Sequence, residues 1–104
     1  MSEYTLSNFR GLIAKNNQEI AQLNFEEGDV LFLAEDIRVR KTNIDKANAL
    51  GKSTKYKTAI IIKTQEGLSK IESPVIGHDD DFVFTKSELK IPVKCIYSID
   101  FINF

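Results

Sequence analysis

His78-Asp79-Asp80-Asp81 sets the chain's one imidazole beside three carboxylates, a donor set that could hold a hard divalent cation. Neighbouring side chains of an extended loop point in different directions, and no second ligand cluster elsewhere completes a cage. The stretch therefore reads as a hydrated loop, and no metal site is assigned. A nucleophile activated by His78 would need Cys95, the single cysteine, or a distant serine beside it. No spacing in the chain brings such a pair together. No catalytic residue and no cofactor is assigned, and the chain reads as a non-enzyme. Cys95 sits between Val93 and Ile96 in an apolar pattern, which favours a small buried hydrophobe over a reactive thiol.

Gly51-Lys52-Ser53 matches the end of a phosphate-binding loop, in which backbone amides cradle phosphates and the lysine reaches the terminal group. The first glycine of that pattern would fall at position 46, which is Lys46, and the residues after Ser53 read as a strand where the loop needs a helix. The match fails on both counts.

Charge is distributed unevenly. Residues 1–37 hold seven acids and two bases, residues 38–70 two acids and nine bases, and residues 71–104 six acids and three bases. A middle segment of +7 thus lies between segments of −5 and −3. Arg38, Arg40, Lys41, Lys52, Lys55 and Lys57, interleaved with hydroxyls, amides and Tyr56, are the residues that phosphate contacts and a stacked base would use. The competing reading is that these cations are solvated, or pair with the acidic flanks or with the flanks of a second copy.

The elements that must position these residues follow from periodicity. Tyr56 to Gln65 alternates β-branched and polar residues and predicts a strand, ended at Glu66-Gly67, where glycine supplies the positive φ of a hairpin turn. In the return strand, Leu68 to Ile76, the apolar set changes parity and Pro74 lacks an N–H, so a bulge or bend is expected near Ser73-Pro74. Further strands are expected at Phe82–Phe84, Leu89–Val93 and Tyr97–Phe101, with one helical turn at Lys94-Cys95. Upstream, Leu6, Phe9, Leu12, Ile13, Ile20 and Leu23 suggest a helix, either throughout or from Leu6 to Lys15 followed by a turn and an extended piece through Phe25. Val30-Leu31-Phe32-Leu33 reads as a buried strand, Asp36 to Arg40 as another, and Thr42 or Asn43 as the cap of a short helix closed by Gly51.

The hairpin, the bent second strand, the aspartate-bearing loop and the closing Ile96-Tyr97-Ser98-Ile99 resemble the Sm-like small-barrel superfamily. The resemblance covers residues 56–102 and implies a mainly β fold: a small five-stranded barrel with an N-terminal helix and strand packed on it. It places Asp79 or Asp80 at the loop aspartate of the first Sm motif. The asparagine expected after it is absent, Asp81 standing there, and Pro92-Val93 replaces the Arg-Gly or Lys-Gly of the second motif. The barrel carries over; the RNA-binding ring does not.

Length and the absence of a linker predict a single domain over 1–104, with residues 1–55 as its N-terminal part and 56–102 as the barrel. A lone cysteine, no export signal at Met1-Ser2-Glu3-Tyr4 and no apolar run of bilayer length suggest a cytoplasmic chain without a membrane partner. The expected function is a non-catalytic interaction module, acting on itself as a homo-oligomer or on another protein. Non-specific nucleic-acid binding through residues 38–57 is the alternative.

Overall fold

The computed structural model describes residues 12–51 and 56–103. These form an α+β fold of two antiparallel three-stranded sheets and one long helix. Strand β1 (Tyr56–Thr64) is central in the first sheet, between β2 (Gly67–Glu72) and β6 (Ile96–Asn103). The second sheet runs β3 (Val75–His78), β4 (Phe82–Thr85), β5 (Lys90–Pro92). The β-branched run of β1 dictates the pairing. Ile60 faces Ile71 on one side and Ile99 on the other, so three isoleucines cross the sheet in one row on the core side. Gly67, at φ 109°, makes the β1–β2 turn in the left-handed region that favours glycine.

The expected bend is present: β2 stops at Glu72 and β3 starts at Val75. A polar knot holds it. The Lys86 amide donates to the Pro74 carbonyl (2.9 Å) and the Ser87 amide to Ser73 Oγ (3.2 Å). The Leu89 amide donates to the buried Thr85 hydroxyl (3.1 Å). Buried polar groups are thereby satisfied within the turn that joins β4 to β5.

The expected barrel is not closed. No ladder joins the two sheets among the described residues. Pro74 offers no amide to carry the ladder round the bend. At the other junction β5 is only three residues long, and the 3-10 turn Val93–Cys95 carries the chain away before β6 begins.

The N-terminal half differs more from expectation. The proposed helix over 6–15 lies mostly outside the described residues, and its end is extended: Ala14 bridges Lys70 in parallel, and the Lys15 amide donates to the Lys70 carbonyl (2.8 Å). The helical turn comes later, as α1 (Asn17–Ala21), where Asn16 and Glu19 form a reciprocal capping box. The strands expected at 30–33 and 36–40 are absent. Helix α2 runs Ala34–Leu50, so the short helix expected from Thr42 or Asn43 begins two turns earlier than its apparent cap. The physical reason is periodicity. Leu33, Ile37, Arg40, Ile44 and Ala47 recur at helical spacing, and residues 34–50 contain neither glycine nor proline. The alternation of Ile37 and Val39 with polar residues only mimics a strand.

Helix α2 packs against β6 and β3 and buries Ile44 and Ala47 in the core with Ile60, Ile62, Val75 and Ile99. Its end is set at Gly51, where a Cβ would lie 2.0 Å from the Val75 carbonyl oxygen. The constraint there is space, since φ is −60°. Gly51→Ala should destabilise the chain by roughly 1–3 kcal/mol in urea denaturation, the cost of overpacking. Helix propensity alone predicts the opposite sign, so a stabilised variant would show that α2 does not rest on β3.

Candidate interaction surface

Arg40 organises the described surface between α1 and α2. It is 6% exposed, although it was expected among the phosphate contacts. Its guanidinium makes a two-pronged bond to Asp29, Nη1 to Oδ1 at 2.8 Å and Nη2 to Oδ2 at 2.6 Å, and Nη1 also donates to the Ile96 carbonyl (3.2 Å). Asp29 accepts in addition from the Leu31 amide (2.9 Å), and the Val30 amide donates to the Lys94 carbonyl (3.0 Å). One guanidinium therefore joins a loop, a helix and the start of β6. Arg40 serves as an internal strut, with little surface to offer a phosphate.

The other basic residues fall out as follows. Arg38 is exposed and pairs with Glu35 one turn back on the helix, and Lys41 is exposed. Lys52 and Lys55 lie outside the described residues, and Lys57 is placed only by its backbone in β1. Lys46 stands 4.6 Å over the Phe101 ring, and Lys70 lies 3.6 Å from Glu72. Three of the described cations, Arg38, Arg40 and Lys70, are thus matched by carboxylates of this chain.

The aspartate loop holds itself together. Asp79 Oδ1 accepts from the amides of Asp81 and Phe82, both at 2.8 Å, and these bonds hold its carboxyl below the ordinary range. His78 turns to helix α2, with Nε2 3.2 Å from Asp45. Among the described residues no group of three or more such ligands could hold a metal ion. Cys95 is 2% exposed, its thiol donates to the Pro92 carbonyl (3.1 Å), and burial pushes its pKa up to about 12. It is a protonated core side chain, as its neighbours in sequence suggested.

What sequence reasoning placed wrongly is the apolar run after Asp29. Val30 is buried, but Phe32 is 88% exposed and Leu33 65% exposed. Leu33 holds the N-cap position of α2, which favours Ser, Thr, Asp or Asn because their oxygens can accept a first-turn amide. Ile37, one turn on, is 37% exposed. The signal that could have located this surface was the Glu35-Asp36 pair, acidic residues in a first helical turn. The chain was compared with protein-family models, with curated proteins and with solved structures, and none of the three gives a match.

Arg40→Ala leaves Asp29 without its partner and should cost about 3 kcal/mol in urea denaturation at neutral pH, near the lower end for a broken buried pair because Asp29 stays partly exposed. Arg40 holds the Asp29 carboxyl below its ordinary 3.8. The bond's contribution is therefore fully present above that value and fades as pH falls through the lower folded pKa, so Asp29→Asn should approach wild-type stability in acid. Equal destabilisation at pH 7 and in strong acid would contradict this linkage. For Cys95, modification by a thiol reagent should be slow in the native chain and accelerate with urea in step with unfolding. Rapid native labelling would show an open thiol.

Proposed function

We propose that this chain is a non-catalytic interaction module, acting through self-association or a protein partner. The observation that carries the reading is the surface placement of Phe32 and Leu33, 88% and 65% exposed, while the core is completed by other residues. Isolated apolar side chains on a surface are ordinary. Two large ones in sequence, held by an internal ion pair at a helix start, are a built feature.

The Sm-like kinship is proposed in the same spirit. Its support is the succession of a hairpin, a strand interrupted at Ser73-Pro74, two short strands, one 3-10 turn and a long last strand. It brings no RNA site with it, because Asp81 and Pro92-Val93 stand where the RNA-binding residues would be.

Sedimentation velocity over a wide concentration range, with affinity capture of the wild type and a Phe32→Ser, Leu33→Asn variant, tests the reading. The expected outcome is an oligomer, or a stoichiometric protein partner, that the variant loses. A chain that stays monomeric and captures nothing would remove it. The nucleic-acid alternative has its own signature in anisotropy with a labelled single strand. Neutralising about five phosphates would give a log–log salt slope of roughly −3.5. We expect a shallower slope than that, since Arg40 is internal and Arg38 is paired.

A further inference from the structure

The apolar platform formed by Phe32, Leu33 and Ile37 has acids around it. Glu26 and Glu27 precede it in the same loop, and Glu35 and Asp36 follow in the first turn of α2, all four exposed. Of the nearby bases, Arg38 pairs with Glu35 and Arg40 with Asp29, while Lys41 stands exposed one turn beyond Ile37 and Lys94 lies beside Asp29. Glu26, Glu27 and Asp36 make no ion pair with a described residue. The stretch 26–37 thus carries three large exposed apolar side chains together with five acids and no base.

Resting on the reading above, we infer that this platform docks an amphipathic segment of another protein, one that carries apolar side chains on one face and lysine or arginine beside them. Two arguments select that occupant. A second copy meeting the same patch about a two-fold axis would bring one acidic stretch toward another, which electrostatics penalises. A cation-bearing helix or strand that covers Phe32 and Leu33 finds opposite charge in the same stretch of chain.

The same residues show that the fold itself does not ask for this surface. An N-cap asparagine would accept a first-turn amide of α2 where leucine cannot, and a polar residue at 32 would remove a nearly fully exposed ring from water. Positions that break a local rule without gain to the fold are where a binding role is expected.

The test uses the full chain and two synthetic 18-residue peptides of one helical pattern, Leu/Lys and Leu/Glu, titrated in fluorescence anisotropy. The Leu/Lys peptide should bind and the Leu/Glu peptide should not. Phe32→Ser and Leu33→Asn should each weaken Leu/Lys binding tenfold or more, and Leu33→Asn should at the same time raise the melting temperature by capping α2. Equal binding of both peptides, or affinity indifferent to both substitutions, would overturn the proposal. So would a lowered melting temperature in Leu33→Asn, which would show Leu33 packed within its own fold. Self-association that Phe32→Ser abolishes, without Leu/Lys binding, would discard the basic partner and leave the interaction module standing.

Discussion

The Arg40–Asp29 pair is the constraint on which the N-terminal half of the described fold depends. A guanidinium at a core position must be matched or the cost of its desolvation falls on the fold. Here the match is two-pronged and is completed by the Ile96 carbonyl. Asp29 also accepts from the Leu31 amide, which ties the loop to the same carboxylate where it meets the helix. Beyond that strut the Val30 amide is bonded to the Lys94 carbonyl, Leu31 is half-buried, and Phe32 and Leu33 project outward.

The β half was largely legible in the sequence because its signals are local. β-branched alternation set β1, Gly67 its turn, and the parity change with Pro74 the bend between β2 and β3. Whether the sheets close is not a local property. It depends on whether ladders cross two junctions, and both are interrupted, one by proline and one by a 3-10 turn. The N-terminal half was misread for a related reason. Ile37 and Val39 satisfy a period of two over a short window, whereas the helical stripe shows only over five positions and includes an arginine. Treating Arg40 as a surface cation removed it from that stripe and left Asp36 to Arg40 as an apparent strand.

The same misassignment hid the candidate site. A run such as Val30-Leu31-Phe32-Leu33 is apolar enough for a buried strand, and only the anchoring of Asp29 shows that the run is split, its first residue in the core and its third in solvent. The charge segregation was legible and its interpretation was not. Lys46 stacks on Phe101, while Lys70 approaches Glu72, Arg38 meets Glu35 and Arg40 meets Asp29, ion pairs that each join the basic block to an acidic one.

The two ends of α2 differ in the way a divided role would require. Its C-terminal end is fitted to the fold so closely that a single methyl group at residue 51 would meet the Val75 carbonyl. The N-terminal end carries a cap residue without an oxygen and an aromatic ring in water. Loose packing alone does not account for the contrast, because the residues just before that end are held by the Asp29 bonds and the one a turn and a half beyond it is the buried Arg40. A rigid base beneath an uncovered apolar tip loses little conformational entropy on binding, since the backbone order is already present. On the reading proposed, folding stability and recognition make opposite demands on Leu33: an asparagine there would cap α2, whereas a leucine offers an apolar contact.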